Sequence, residues 1–245
     1  MWILISIIFI LIILFLSVCI WYNPHIMLDP LNLLYTFDLS PRTKFYTKEE
    51  TDRIFPVSTE LETIWEQIRQ EGYELYDMIP NKEYNYLDNY HMNIGYETKK
   101  DWTTIPLRLF GRDFPEYMET CPLLENILRN HPEIKSCLYS IMQPGKIIQP
   151  HHGPYDGLLR YQLALDIPPT DEEHECYLHV GDEKYQWNEG KGVMFDESNI
   201  HGAVNTTDQR RMVLLIDLER PYSFPLFRLL NKGIIWGMGL IPIQQ

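Results

Sequence analysis

The sequence has no CxxC pair, no internal repeat and no excess of basic residues, and each absence removes a class of protein. Four cysteines occur, Cys19, Cys121, Cys137 and Cys176, and their spacing suits neither a disulfide framework nor a structural zinc site. Free thiols are the expectation. The 21 Lys and Arg stand against 34 Asp and Glu, a net charge of −13. Duplex binding needs a basic face, so nucleic acid is not an expected partner. Without a repeat, solenoids are excluded. With 245 residues and 45% hydrophobic composition, the chain suits one domain with a full core and short appendages.

Charge is absent altogether from residues 1–22, "MWILISIIFILIILFLSVCIWY". At 1.5 Å per residue, a helix of this length spans about 33 Å, against about 30 Å of hydrocarbon core. A cleavable leader would carry a basic start and small residues at its end; this run has neither. Trp21 and Tyr22 suit an aromatic anchor at the interface. A single-pass N-terminal transmembrane helix is therefore expected, with the bilayer as a partner. The first basic residues after it, Arg42 and Lys44, lie too far away to fix the side on which the rest of the chain stands. Residues 23–56 are Pro-spaced and mixed in character, and read as a juxtamembrane connector. Residues 57–223 read as the main domain. The last 22 residues, 224–245, contain "GIIWGMGLIPI", too short to span. They form either an interfacial helix or one packed on the domain.

Within the domain, residues 58–79 combine an N-terminal Ser with apolar residues at helical spacing: Leu61, Ile64, Trp65, Ile68 and Tyr76. Residues 121–134 read as a shorter helix. From 137 the period changes. "LLRYQLALDI" places Leu159, Tyr161, Leu163, Leu165 and Ile167 on one face and Arg160, Gln162, Ala164 and Asp166 on the other. "ECYLHV", "KGVMFD" and "RMVLLIDL" are further short strands. Many short strands separated by turns indicate a sandwich or jelly roll, so the expected class is mainly β with flanking N-terminal helices.

Two histidines stand at strand edges, His151 after "QPGKIIQP" and His201 in "FDESNIHGAVN", 50 residues on. Such strand ends can meet at the mouth of a rolled sheet, where neutral imidazoles would hold Fe(II) with open positions for oxygen chemistry. Equally, each can be an ordinary surface or core histidine. Arg160 lies on the polar face of its strand and Arg211 opens another. Buried arginines would hold a dicarboxylate bidentately. The alternative is surface exposure, or pairing with Asp166, Asp217 or Glu219. "NTT" from Asn205 is a glycosylation sequon if this part faces a secretory lumen.

Taken together, "SIMQPGKIIQPHHGPYDGLLRYQLALDIP" and "YQWNEGKGVMFDESNIHGAVNTTDQRRMVLLIDLERP" resemble the aspartyl/asparaginyl β-hydroxylase family over roughly residues 100–221. The resemblance implies a double-stranded β-helix, cupin-like, and dioxygenase activity with Fe(II) and the cosubstrate 2-oxoglutarate. His151 and His201 match the iron ligands. Arg211, with Ser140, matches the clamp on the far carboxylate of 2-oxoglutarate. Arg160 matches an arginine at the metal-binding end of the cosubstrate or at the prime substrate. Gln162 stands where the family usually has histidine, and can still donate a hydrogen bond to a carboxylate.

The apolar start, "LLYTF" and "DLERPY" most resemble the branch that hydroxylates the acyl chain of lipid A. That branch has an acidic residue where this chain has Gly153; the peptide β-hydroxylases also have glycine there. The implied substrate is thus a lipid acyl chain or a peptide Asp or Asn side chain. A non-catalytic, membrane-tethered jelly-roll binding protein is the alternative that Gly153 and Gln162 leave. By strand alternation only one of His151 and His152 reaches a metal, which leaves His152 at the rim. Glu197, four residues before His201, reads as a solvent-exposed turn carboxylate or as a water-mediated support to the metal.

Overall fold

The computed structural model describes residues 43–79, 101–153 and 155–240. The expected transmembrane helix at 1–22 lies outside these residues, as does the connector as far as residue 42. Among the described residues no helix is long and apolar enough to cross a membrane.

The folded body starts earlier than the expected boundary at 57. Phe45 bridges to Phe195, Tyr46 N–H bonds the carbonyl of Met194, and Phe55 is fully buried. Helix α1 (Lys48–Ile54) is started by a capping box in which Thr47 and Glu50 each satisfy the other's backbone N–H. The helical stretch expected at 58–79 divides at Ile64 into α2 (Ser58–Thr63) and α3 (Trp65–Met78). Two short helices follow, α4 (Pro115–Met118) and α5 (Pro122–Asn130). No side chain of its own caps α5. Instead Glu71 of α3 accepts the N–H groups of Leu123 and Leu124, placing a carboxylate at the positive end of the helix.

Among the described residues ten strands complete the body: β1 (Trp102–Leu109), β2 (Arg112–Asp113), β3 (Ile134–Met142), β4 (Ile147–His151), β5 (Leu158–Asp166), β6 (Cys176–Val180), β7 (Glu183–Gln186), β8 (Gly192–Phe195), β9 (His201–Asn205) and β10 (Arg211–Glu219). They form two antiparallel sheets, β2-β1-β3-β10-β5-β8 and β4-β9-β6-β7. From β3 onward each strand crosses to the other sheet, the β6–β7 hairpin excepted. Eight strands divided four and four in this way are a jelly roll, the fold expected above. Strands β1 and β2 extend the first sheet.

The alternation in β5 holds as far as Leu165, whereas Ile167, beyond the strand end, packs on the opposite core. Leu159, Tyr161, Leu163 and Leu165 join a core with Leu61, Ile68, Leu75 and Tyr139 beneath the helices. Leu158 and Ala164 join a second core between the sheets with Val213, Leu215 and Trp187. Close approach of α3 to the sheet depends on Gly72, where a Cβ would lie 2.5 Å from Tyr139 Cε1. Cys121, Cys137 and Cys176 are free and buried. Helix α6 (Pro225–Gly239) lies after the last strand. Asn205 is fully buried and donates to the carbonyls of Gln143 and Gln209, so the sequon is sealed in the folded domain.

Candidate functional site

The register of the smaller sheet explains how two histidines 50 residues apart meet. His151 ends β4, His201 begins β9, and antiparallel pairing sets the two directly opposite each other. Their ring centroids are 4.5 Å apart. Two imidazoles bound side by side to one ion through bonds of about 2.1 Å need a separation of about 4–5 Å.

Protonation follows from the hydrogen bonds. His151 Nδ1 lies 2.8 Å from the carbonyl of Gln149, and His201 Nδ1 lies 2.9 Å from that of Asn199. A carbonyl only accepts, so each Nδ1 carries the proton and each Nε2 presents a lone pair. His201 Nε2 is buried without a hydrogen-bond partner. Burial and the nearby Arg160 charge lower the His151 pKa to about 4, against the pull of its bond to Gln149. Burial, with His151 and Arg160 adding to it, holds His201 well below its ordinary value. Both rings are therefore neutral at pH 7, the form that binds a metal. Among the described residues no group of three or more His, Cys, Asp or Glu side chains is set to hold an ion.

Arg211 lies on the inner face at the start of β10 and is 1% exposed. It donates to the Ser140 carbonyl at 3.1 Å and to Ser140 Oγ at 3.4 Å, and its guanidinium lies 4.7 Å from the centroid of the Trp187 ring. Its Nε has no hydrogen-bond partner. Burial lowers its pKa to about 10, so it stays charged at neutral pH. Among the described residues no carboxylate pairs with it. A buried cation without an anion is costly. Trp187 also donates to Gln162 Oε1 at 3.2 Å, and Trp102 donates to Ser140 Oγ at 3.0 Å. Trp187 lies in the "YQWNEGKG" stretch that carries the family resemblance, whereas Trp102, within β1, did not stand out in the sequence.

Arg160 is already occupied. It forms a bidentate pair with Asp217, with Nε at 2.8 Å and Nη2 at 3.2 Å. Nη2 also approaches Glu197 Oε2 to 2.6 Å, an ion contact without the alignment of a hydrogen bond. Asp217 is the partner that the sequence left open. Glu197 departs from its reading as a solvent-exposed turn residue: its exposure is 0%. Burial raises its pKa well above the carboxylate range, Arg160 opposes the shift, and Asp217, Asp156 and Asp196 reinforce it. Its carboxyl group fills the space beside Gly153, where a Cβ would lie 2.5 Å from Glu197 Cδ. His152 is half-buried, with Nδ1 bonded to the Ser198 carbonyl.

A family model described as aspartyl/asparaginyl beta-hydroxylase matches residues 62–221. An ornithine lipid ester-linked acyl 2-hydroxylase of Rhizobium tropici is 33% identical over 128 residues, covering 52% of this chain and 45% of that one. The human aspartyl/asparaginyl beta-hydroxylase is 28% identical over 202 residues, covering 78% of this chain and 24% of that one. The chain thus spans less than half the length of either relative. Among solved structures, the cupin domain of an XRE-family transcriptional regulator from Enterobacter cloacae aligns with a TM-score of 0.33. Its identity is 14%, over 49% of this chain and 97% of that domain.

Proposed function

The chain belongs to the aspartyl/asparaginyl β-hydroxylase family, and from that premise we propose that it is an Fe(II)- and 2-oxoglutarate-dependent dioxygenase hydroxylating an unactivated C–H bond. One observation supports the reading above the rest. A pair of neutral imidazoles on the smaller sheet is accompanied by a buried arginine on the larger sheet that has no carboxylate partner among the described residues.

In this reading His151 and His201 hold the iron. Bound there, Fe(II) would supply the activation of dioxygen, coupled to conversion of 2-oxoglutarate to succinate and carbon dioxide. Arg211 and Ser140 hold the far carboxylate of the cosubstrate, with Trp187 closing over the guanidinium and excluding water. The carbonyls of Gln149 and Asn199 fix both imidazoles in the metal-binding tautomer. Arg160, clamped by Asp217, provides a fixed positive charge at the histidine end of the cavity. Of the two oxygen atoms consumed, one enters succinate and one the substrate hydroxyl.

The substrate we favour is a lipid acyl chain. The uncharged run at 1–22 would hold the enzyme where such chains lie, and an acyl hydroxylase is among the relatives. A peptide Asp or Asn side chain is the second reading, supported by Gly153 and by the 202-residue alignment with the human relative. The test uses the full chain in detergent with Fe(II), ascorbate and 2-oxoglutarate. Succinate should form, His201→Ala should abolish it and His152→Ala should retain it. Supplied with membrane lipid or with an Asp-containing peptide, only the true substrate gains an oxygen atom. A wild-type chain that binds no iron and releases no succinate would refute the proposal.

A further inference from the structure

Helix α6 supplies no residue to the histidine pair, yet one of its faces is unlike the rest of the surface. Leu226, Leu229, Leu230, Trp236 and Leu240 fall on one stripe and are exposed, Leu229 to 67% and Trp236 to 68%. Asn231, Ile235 and Met238 turn inward from the opposite side. Lys232 borders the stripe beside Trp236. The helix and the turn between β1 and β2 enclose a cleft of about 500 Å³, whose lining includes Phe110, Arg112, Lys135 and Lys232. Lys135 is held at 3.6 Å from Glu219, whereas Arg112 and Lys232 make no ion pair among the described residues. In a chain of net charge −13, two cations without an ion pair among the described residues, and a third shared with Glu219, are a local reversal of sign beside an apolar stripe.

We propose that α6 and the β1–β2 turn form a docking surface for an anionic phospholipid bilayer. The leucines and Trp236 enter the boundary between headgroups and acyl chains, and Arg112, Lys135 and Lys232 meet the lipid phosphates. Charge complementarity selects this occupant. A second copy packed on the same face would bring like charges together, whereas an anionic membrane supplies the missing counter-charge. The helix is also tied to the segment that follows His151. Asn231 donates to the Gly157 carbonyl at 2.9 Å and accepts from Tyr155 Oη at 2.6 Å. Docking of α6 therefore fixes the orientation of the segment after His151 to the membrane plane. The inference is independent of the chemistry assigned to that cavity.

The full chain in nanodiscs tests it, because the apolar run at 1–22 is then present in every sample and only the docking of α6 varies. Hydroxyl-radical footprinting reads Leu229 and Trp236 in discs of phosphatidylcholine, with or without phosphatidylglycerol. Both residues should be protected more strongly in the anionic discs. Lys232→Glu and Arg112→Glu, both at exposed positions, should each weaken that docking by at least about fivefold, the effect of one basic charge at an anionic surface. Equal modification in both lipids, unmoved by the charge reversals, would overturn the proposal. So would protection found only in discs that hold two copies, which would assign the face to a second protomer.

Discussion

At the scale of single residues, the most informative contact is between Gly153 and Glu197. An acidic side chain at 153 is sterically blocked, because the carboxyl group of Glu197 already stands there. Gly153→Asp should therefore cost about 1–3 kcal/mol in chemical denaturation, the usual penalty for forcing atoms into a filled site. Adding Glu197→Gly to the same chain should restore most of that loss. A Gly153→Asp chain as stable as the parent would contradict the placement of Glu197. The sequence could not show this contact. "FDES" has the composition of an exposed turn, and its burial follows from strands that are remote in the chain. The histidines make a second prediction at this scale. The folded-state pKa of His151 is near 4, below its ordinary 6.5, and that of His201 is also depressed. Between these values the unfolded chain binds more protons than the folded one. Metal-free protein should thus keep this contribution above pH 6.5 and lose it as pH falls toward 4. In His151→Gln, urea midpoints measured across that range should fall less steeply.

At the scale of elements, β5 was legible because Arg160, Gln162 and Asp166 alternate with leucines and Tyr161, and β10 because "RMVLLIDL" is a short apolar run bounded by charge. Strand β1 was not: all eight of its residues are buried, and Pro106 interrupts it. Nor were β4 and β9, each five residues long, one containing Pro150 and the other Gly202. Yet β4 and β9 create the site, since their register alone brings His151 to His201. The sequence thus offered the ligands through resemblance, while their convergence depends on pairing that no local pattern records. Strand β10 carries the sharper test. Arg211 contributes a buried charge whose protein partners are a carbonyl, a hydroxyl, the Met142 sulfur and an aromatic face. Replacing such a charge with an apolar side chain of similar size is often neutral or stabilising. Loss of the bond to Ser140 would offset part of that gain, by about 1 kcal/mol. Arg211→Met should leave stability in urea unchanged or raise it, while 2-oxoglutarate binding measured by calorimetry is lost. If it unfolds the protein, Arg211 is a structural residue and not a ligand clamp.

For the whole molecule, the argument concerns what binding does to the sandwich. The two histidines come from the smaller sheet and Arg211 from the larger, so a metal-chelating dicarboxylate would link the two layers. A ligand that binds only the folded state at about 100 times its Kd adds about 2.7 kcal/mol of stability. For a chain of this size that corresponds to a rise in Tm of about 5–10 °C. Mn(II), used without oxygen to prevent turnover, should give part of this rise alone, and 2-oxoglutarate should complete it only when the metal is present. His201→Ala should remove the response to both. Arg211→Met should keep the response to Mn(II) and lose the further rise with 2-oxoglutarate, because its imidazoles are intact and its carboxylate clamp is not. A full response to 2-oxoglutarate in Arg211→Met would place the cosubstrate elsewhere. A response to 2-oxoglutarate without metal would show that the two layers are bridged by the arginine alone, and would remove the reason for assigning an ion to the histidine pair.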